Sequence, residues 1–324
     1  MKLKNYGLPY KGSKNTIAYK IANFLPKADI LVDLFAGGCA ITHATLLSHK
    51  YQKIITNDIT KAPLFFKRAL EGDRVVDEKR WISRDEFKAL NYDDDILLRL
   101  LWSFGNNIKR YKYNKGIEPY KKAYHHAAFG DFSLFNEFAP YINGNSRLEL
   151  RRSISRNIER VKADYLNWYL SKMRLNSVEI NETLTAIKIQ LLSFETFLAL
   201  ESLQNLERFN KISDFNIYFK QNSLFDFGYN LEVSQKSYEL VELPSAKECV
   251  IYCDIPYKNT DKYLTDFNHD EFYNWAREKA NQGYKIYISE YQMPNDFKVV
   301  FELEHLSVLN GKKPNKVIEK LFTL

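Results

Sequence analysis

The sequence predicts an α/β fold whose core is interrupted by a mainly helical insertion. Short apolar runs typical of buried strands lie near both ends of the chain, at residues 30–35 and 249–253. A Gly-Gly pair and a helical stretch follow the first run, which indicates a βαβ unit. Between the two ends the apolar residues recur at helical spacing instead. We therefore predict a core assembled from residues 1–60 and 211–324, and an insertion formed by residues 61–210.

Each element of the first βαβ unit has its own signal. The apolar run Ile30–Phe35 ends at Ala36-Gly37-Gly38, where glycine permits a tight turn and close approach of a ligand. A helix is predicted from about Ala40 to Ser48 and a second strand from Lys53, closed by Asp58. An acid there suits the ribose hydroxyls of a nucleoside. Because neither G-x-G-x-x-G nor Gly-Lys-Ser/Thr is present, dinucleotide and P-loop sites are disfavoured, and an ordinary tight turn is the alternative.

The insertion and the second half of the core show further periodic signals. Ser146-Arg147-Leu148-Glu149 has the S-x-x-E pattern of a capping box, which predicts the start of a helix. Behind it, Ile154, Ile158, Val161 and Tyr165 recur at helical spacing. The remaining predicted elements are a helix over residues 192–209, strands over 248–253 and 284–289, and a helix over 271–281.

The net positive charge of the chain is confined to one segment of the insertion. The chain has 47 Lys and Arg against 40 Asp and Glu. Residues 102–162 contain twelve of the former and five of the latter, an excess of 12 − 5 = 7 that equals the whole excess. Cations follow phosphates and aromatic rings stack on bases, so this charge and the 15% aromatic content predict a nucleic-acid partner.

A row of arginines in this segment is a candidate for contacts to phosphates. Its members are Arg147, Arg151, Arg152, Arg156 and Arg160. These side chains would follow a phosphate backbone along one helix, and a solvated basic face is the alternative.

Cysteine usage and hydropathy indicate the compartment. The three cysteines, Cys39, Cys249 and Cys253, are too few and too sparse for a disulfide framework, which favours a reducing compartment. Cys249 and Cys253 alternate with Ile251, as on one face of a strand, and no second Cys/His pair lies at zinc-ligand spacing. No apolar run reaches about 18 residues. We expect a cytoplasmic protein with no membrane partner and no metal.

The strongest chemical signal is Asp254-Ile255-Pro256-Tyr257, which follows the strand ending at Cys253. It offers a carboxylate, a backbone carbonyl and an aromatic ring within four residues. This combination suits the exocyclic amine of a base flipped out of the duplex, because both oxygens accept its N–H bonds while the ring stacks on the base. A generic turn containing an acid and a proline is the alternative.

Taken together and in this order, the motifs resemble the DNA adenine methyltransferases of the Dam-like and phage-type group. Leu8–Lys14 resembles the W/Y-x-G-x-K signature, Asp33–Ala40 resembles D-x-F-x-G-x-G, and Asp254–Tyr263 resembles D-P-P-Y with its following residues. The resemblance continues at Phe104–Asn107 and Tyr111–Gly116, in the segment entering the DNA-recognition region, and at Ile288–Tyr291, Met293-Pro294 and Glu319–Phe322. It is patchy from Lys121 to Leu231.

The resemblance implies a fold, a cofactor and a reaction. The fold would be a Rossmann-like methyltransferase core, a mixed and mostly parallel sheet with helices on both faces, with a helical target-recognition insertion. The reaction would be site-specific transfer of a methyl group from S-adenosyl-L-methionine to N6 of a flipped adenine in double-stranded DNA. The protein would be a bacterial or phage-encoded monomer or weak dimer, and a cognate restriction nuclease stays open as a partner.

The resemblance also implies site residues. Catalysis would fall to Asp254, Ile255, Pro256 and Tyr257. The cofactor would be bound by Tyr10, Lys11, Gly12, Lys14, Asp33, Phe35, Ala36, Gly37, Gly38, Cys39, Asp58, Ile59, Ser237 and Tyr238. DNA would be bound by Asn106, Asn107, Lys109, Arg110, Tyr111, Tyr113, Asn114, Arg147, Arg151 and Arg152.

Three departures from the family pattern bear on activity. Cys39 stands where the last glycine of the donor motif is expected, and Ile255 replaces the first proline of D-P-P-Y. Ser237 stands where the family often has an acid that contacts the adenine of the donor, so donor affinity is the property affected. Two alternatives follow. One is a decayed methyltransferase scaffold that only binds DNA, and the other is the same fold acting on RNA adenine, cytosine or a protein glutamine.

Overall fold

The computed structural model describes residues 6–73, 77, 79–173, 230–258, 267–307 and 315–324. These residues form two compact units. The first, called here the sheet unit, draws on Met1–Val75, Asn91–Leu97 and Asn216–Leu324. The second, the helical unit, draws on Val76–Leu90 and Leu98–Phe215.

A seven-stranded sheet organises the sheet unit, in the order β3-β2-β1-β4-β5-β7-β6. The first five strands of that order run parallel, while β7 is antiparallel to both of its neighbours. The strands are β1 (Ile30–Asp33), β2 (Lys53–Asp58), β3 (Asn230–Gln235), β4 (Cys249–Asp254), β5 (Lys285–Glu290), β6 (Lys298–Ser307) and β7 (Asn315–Thr323). The predicted α/β fold with a mixed, mostly parallel sheet is confirmed.

Helices cover both faces of this sheet. Val32, Ile251 and Cys253 pack on one face with Phe272 and Ala276 of a C-terminal helix. On the opposite face, Thr42 of the helix after β1 lies 2.9 Å from Thr56 of β2 through their hydroxyl oxygens. The helices of this unit are α1 (Ala18–Phe24), α2 (Ala40–Ser48), α3 (Ala62–Leu70) and α10 (His269–Asn281).

The helical unit has an apolar core of its own. Tyr120, Phe135, Leu150, Val161 and Tyr165 are buried in it. Its helices are α4 (Arg84–Ala89), α5 (Ile96–Trp102, whose first two residues belong to the sheet unit), α6 (Glu118–Ala128), α7 (Ser133–Phe138), α8 (Arg147–Arg156) and α9 (Ile158–Lys172). The helix start at Ser146 is confirmed, because its hydroxyl accepts the Glu149 N–H at 3.2 Å.

Two expectations differ from the structure in detail. The periodic run from Ile154 to Tyr165 is split between α8 and α9, because the chain bends at Asn157, and Arg160 therefore does not share a helix with Arg147. The core boundary drawn at residue 60 falls before α3, whose buried Phe66 and Leu70 belong to the sheet unit. The helix predicted over residues 192–209 and the boundary at 211 lie outside the described residues.

Candidate active site

The glycine turn after β1 is fixed by the acid that ends β2. Asp58 accepts the Gly37 N–H at 2.8 Å through Oδ2, and through Oδ1 it accepts the N–H and the hydroxyl of Thr60 at 2.9 and 2.8 Å. Gly37 has a φ of 49°, in the left-handed region that glycine tolerates best. Asp58 therefore locks the turn, and its Oδ2 still has capacity for a second donor such as a ribose hydroxyl.

The N-terminal segment packs directly on this turn. The Leu8 N–H donates to the Gly38 carbonyl at 2.6 Å, and the Gly7 N–H donates to Nδ1 of His43 at 3.0 Å. A Cβ at Gly38 would lie 2.6 Å from the Leu8 carbonyl oxygen, and one at Gly37 would lie 3.2 Å from the Tyr10 ring. Gly38 is therefore required by close approach and Gly37 is favoured by its backbone conformation, and the structure brings Tyr10 onto the predicted donor motif.

Replacing Gly7 with alanine should loosen this packing. Gly7 has a φ of 67°, and an added Cβ would lie 2.2 Å from the Gly38 carbonyl oxygen. Gly72 is the matched control, because its φ of 85° carries similar backbone strain while nothing lies within 4 Å of an added Cβ. We expect Gly7→Ala to lower the free energy of unfolding by about 1–3 kcal/mol more than Gly72→Ala, measured by urea denaturation. Equal losses in the two variants would contradict this account of the segment.

Asp33 is a buried carboxylate with one uncommitted oxygen. Its side chain is 1% exposed, and its Oδ2 accepts the Thr42 hydroxyl at 2.7 Å. Among the described residues no donor reaches its Oδ1. Burial raises the pKa of Asp33 to about 7, and the nearby Asp254 and Asp58 contribute in the same direction. A buried acceptor without a partner is costly, so this atom marks a place for a donor from a ligand or water.

Cys39 stands where the motif that this sequence resembles has its last glycine, in a backbone conformation that glycine adopts readily. Its φ is 61°, and it is the residue that precedes the first turn of α2. A left-handed conformation costs a non-glycine residue about 1–2 kcal/mol. The Cys39 side chain is fully buried, so it packs in the core in spite of this backbone strain. Burial and the neighbouring Asp33 raise the pKa of its thiol, which leaves it a neutral packing group.

Asn57 was not singled out by the sequence, yet it joins the ends of three strands. Its side-chain amide donates to the carbonyls of Leu34 at 3.1 Å and Lys236 at 3.0 Å. Its Oδ1 accepts the Ser234 hydroxyl at 2.8 Å and the Lys236 N–H at 3.0 Å. A fully satisfied buried amide fixes its neighbours rigidly. A polar residue just before the acid at the end of a buried strand was the signal that could have found it.

Aromatic side chains form one wall beside these strand ends. The Tyr238 ring lies 5.3 Å from that of Phe35 and 5.2 Å from that of Trp275, between ring centroids. Ser237 immediately precedes the short turn that carries Tyr238. Ile59, beside Asp58, is 52% exposed although its side chain is apolar. The structure therefore brings Phe35 and Tyr238 together, while Lys11 and Gly12 lie in the turn between Tyr10 and Ser13.

The carboxylate of Asp254 is held by Lys14. Lys14 Nζ donates to Asp254 Oδ1 at 2.7 Å, and the two side chains are 8% and 18% exposed. Burial raises the pKa of Asp254 to about 6, Lys14 opposes that rise, and Glu319 adds to it. Lys14 was expected among the cofactor residues. In the structure it contacts Asp254, in the motif predicted to be catalytic.

The rest of the motif leaves two acceptors open. The Ile255 side chain is buried with Phe272 and Phe297, and His269 Nε2 lies 2.8 Å from the Pro256 carbonyl oxygen. Within the described part of the chain, no hydrogen bond engages the Ile255 carbonyl or Asp254 Oδ2. A carboxylate oxygen and a carbonyl oxygen from adjacent residues are thus available to an amine.

Tyr257 is anchored by the C-terminal strands. Its hydroxyl donates to Glu319 Oε1, and its ring meets that of Tyr291 edge to face at 4.7 Å between centroids. Glu290 Oε2 accepts the Lys258 N–H at 3.0 Å, which ties the motif to the end of β5. The predicted motif residues therefore lie in one place. The anchoring by Glu290 and Glu319 was not foreseen, although both occur in segments that carry the family resemblance.

The predicted DNA-contacting residues between Asn106 and Asn114 differ in the contacts that they make. Tyr111 donates its hydroxyl to the Ile82 carbonyl at 2.8 Å, and Tyr113 stacks on Trp81 with ring centroids 5.6 Å apart. Asn106 donates to the Leu100 carbonyl of α5 at 2.6 Å, while Asn107 and Asn114 accept backbone N–H bonds within their own turns. Lys109 and Arg110 are exposed, near the 63% exposed Phe104. Five of these seven residues therefore make contacts within the helical unit, and the remaining two, Lys109 and Arg110, are exposed cations.

The α8 arginines border a shallow groove. Its lining residues are Leu148, Arg151, Arg152, Ser155 and Arg156. Arg147 instead packs over the Phe129 ring at 4.7 Å, and Arg160 packs over Tyr141 at 3.9 Å. The cations available to a ligand along this helix are therefore Arg151, Arg152 and Arg156.

The fold and the site define an α/β protein with a Rossmann-like methyltransferase core. The family model of the D12 class N6 adenine-specific DNA methyltransferases matches residues 10–310. The chain belongs to this family, and it is an adenine-specific DNA methyltransferase. The family resemblance and the activity predicted from the sequence are confirmed. Comparison with curated proteins gives no match.

Further findings concern the cofactor and substrate of the family, membrane-spanning helices and metal ligands. Methyltransferases generally use S-adenosylmethionine, and DNA is the substrate of this family. Over the described residues, no helix is long and apolar enough to cross a membrane. In the same residues, no three His, Cys, Asp or Glu side chains converge as a metal-ligand set.

Proposed function

We propose that this protein transfers a methyl group from S-adenosylmethionine to N6 of an adenine flipped out of duplex DNA. The observation that carries the proposal is the pair of open acceptors, Asp254 Oδ2 and the Ile255 carbonyl, beside the Tyr257 ring. An adenine amine has two N–H bonds and a flat ring, which this arrangement matches. Because β1 and β4 are parallel neighbours, the glycine turn and this motif follow the same edge of the sheet.

The residues around the glycine turn fit the donor. The uncommitted Asp33 Oδ1 suits an ammonium group, and the Tyr10 ring, which packs against Gly37, adds an aromatic surface beside the glycine turn. The remaining capacity of Asp58 suits a ribose hydroxyl, and the exposed apolar side chain of Ile59 suits a purine face. Ser237 lacks the charge of the usual acid, so the aromatic wall at Tyr238 would contribute more to binding the donor adenine.

The chain's own residues supply orientation and electrostatics. When bound, S-adenosylmethionine supplies a methyl group activated by its positive sulfur. Asp254 and the Ile255 carbonyl each accept one N–H of the amine, which increases electron density on N6 and aims its lone pair. With a pKa of about 6, the Asp254 carboxylate is ionised at neutral pH and can play this part. Stacking on Tyr257 offsets part of the few kcal/mol that base flipping costs.

The helical unit would bind the DNA backbone. Its segment 102–162 carries the whole net positive charge, and Lys109, Arg110, Arg152 and Arg156 are exposed. Each phosphate contact releases counterions, so affinity should fall steeply with salt concentration. The proposal therefore assigns chemistry to the neutral remainder of the chain and substrate binding to the basic segment.

Neutralising two arginines tests the assignment of DNA binding to the basic segment. We expect Arg151→Gln with Arg152→Gln to reduce the slope of log affinity against log salt by about 1.8, which is 0.9 for each lost phosphate contact. Arg277→Gln is the control, because Arg277 is paired with Asp296 at 2.6 Å in the sheet unit. Affinity for duplex DNA is measured by fluorescence anisotropy at several salt concentrations. An unchanged slope would contradict the proposal that α8 contacts the DNA backbone.

The proposed function as a whole is tested by mapping N6-methyladenine in cells that express the protein. Methylated adenines within a recurring DNA sequence, together with donor binding by calorimetry, are the expected result. A blank map together with absent donor binding would contradict the proposal and favour a decayed DNA-binding scaffold. A map of methylated cytosines would contradict the assignment of the acceptor.

A further inference from the structure

Glu319 is a buried acid on β7, outside the residues matched by the family model. Its side chain is 3% exposed. In the antiparallel ladder, Leu321 pairs with Ser289 and Lys320 pairs with Glu290. Because side chains alternate along a strand, Glu319 lies on the face of Ser289, opposite the one that buries Phe322 against Ile288. This face is the one on which Tyr252 contacts Ser289 through hydroxyl oxygens at 2.7 Å, next to Asp254.

One oxygen of Glu319 contacts two members of the proposed site. Oε1 accepts the Tyr257 hydroxyl and lies 3.7 Å from Lys14 Nζ. Lys14 Nζ in turn donates to Asp254 and lies 4.5 Å from the centroid of the Tyr257 ring. The carboxylate of Glu319 is thus the point at which the supports of Tyr257 and of Asp254 meet.

We propose that Glu319 is a positioning residue for methyl transfer, holding the Tyr257 ring by its hydroxyl and the Lys14 ammonium by its charge. It touches neither substrate nor donor. A tyrosine ring attached only through its Cβ can swing about the χ1 torsion, and a bond from its hydroxyl to a buried carboxylate restricts that swing. The same carboxylate keeps Lys14 in place to orient Asp254. This inference rests on the proposed function, because it assigns the supports of the Tyr257 ring and of Asp254.

The charge of Glu319 also affects the titration of Asp254. Lys14 lowers the pKa of Asp254, while Glu319 and Asp58 raise it. Among the described residues, Asp33, Tyr252, Cys253, Tyr257, Glu290 and Tyr291 also interact electrostatically with Asp254. Replacing Glu319 with glutamine removes one negative charge, so the pKa of Asp254 should fall. The acid limb of the rate profile should therefore move to lower pH, a change that loss of packing alone would not produce.

The experiment compares Glu319→Gln, Tyr257→Phe and their double variant with Glu302→Gln. Glu302 is a matched control, because it lies on neighbouring β6 in an exposed pair with Lys320. Initial rates are measured with S-adenosylmethionine and bacterial DNA that lacks adenine methylation, between pH 5 and pH 8.5. We expect Glu319→Gln to lower kcat about tenfold or more and to shift the acid limb to lower pH. The double variant should be no slower than Glu319→Gln, and Glu302→Gln should match the wild type.

The outcomes separate this inference from the proposed function. A wild-type protein that makes no N6-methyladenine would overturn the proposed function and this inference with it. An active wild type with Glu319→Gln equal to Glu302→Gln, in kcat and in pH profile, would overturn the inference alone. If Glu319→Gln fails to fold, the kcat of Tyr257→Phe tests the inference instead. A tenfold loss in that variant supports the hydroxyl anchor, and a wild-type kcat overturns it.

Discussion

Asp254→Ala is expected to reduce the rate of methyl transfer by at least about 100-fold. The substitution removes the carboxylate that accepts one N–H of the target amine, while Ile255 and Tyr257 keep their positions in the core and against Glu319. DNA affinity should change little, because the cations proposed to bind DNA lie in the helical unit. The measurement is single-turnover methylation of DNA with saturating donor, accompanied by DNA binding.

The wild-type pH profile provides a second measure of the same residue. Burial raises the pKa of Asp254 to about 6, so the carboxylate is protonated below that pH and loses acceptor capacity. The rate should therefore rise as pH increases through about 6. Asp296→Ala is the control, because Asp296 is an exposed acid paired with Arg277. A near wild-type rate for Asp254→Ala would refute the assigned role.

Lys14→Met should be among the most destabilising substitutions in the sheet unit. It leaves Asp254 and Glu319, both largely buried, without the cation that lies 2.7 and 3.7 Å from them. Removing one partner of a buried ion pair typically costs about 3–5 kcal/mol. We expect a loss of that order in the free energy of unfolding at pH 8, measured by urea denaturation. The matched control is Lys53→Met, which removes the exposed pair with Glu232 and should cost about 0–1 kcal/mol.

The stability lost in Lys14→Met should depend on pH, in a direction set by the pKa of Asp254. A carboxyl whose pKa is raised by folding stabilises the folded state below its unfolded pKa of about 4, and that contribution is lost as pH rises through the folded value. The folded value for Asp254 is about 6, and Lys14 opposes its rise. Without Lys14 the pKa should increase further, so the variant should be relatively more stable at pH 5 than at pH 8. Its rate profile should move to higher pH, opposite to the shift expected for Glu319→Gln.

A different result would reassign Lys14. If Lys14→Met changed only the affinity for S-adenosylmethionine, with stability equal to that of Lys53→Met and an unmoved pH profile, Lys14 would belong to the donor site. That was its expected place from the sequence. The short contact to Asp254 favours the catalytic motif instead.

Local pattern was sufficient for only part of the sheet unit, since β3, β6 and β7 were not predicted from the sequence. Apolar runs of strand length and the glycines at 37 and 38 predicted β1, α2, β2 and β4 to within one or two residues. The motif at Asp254 and the acid at Asp58 could be found for the same reason, since both directly follow a buried strand. The position of the helix break at Asn157 could not, because helical spacing continues across it.

Contacts between residues distant in the chain determined the hydrogen-bond and ion-pair partners of the site residues. Asn57 joins segments 23 and 179 residues away, and Lys14 reaches Asp254 across 240 residues. No periodicity encodes such pairs, because they depend on strand order and on which face each side chain occupies. For the same reason the resemblance, which placed Tyr111 and Tyr113 among the DNA-binding residues, did not predict that they pack within their own unit. Sequence order therefore determined the family and the strands β1, β2, β4 and β5, and it located the motif at Asp254 that we propose to be catalytic. The folded sheet determined which partner each charged group has, because only folding brings Lys14, Asp254, Tyr257 and Glu319 within contact distance.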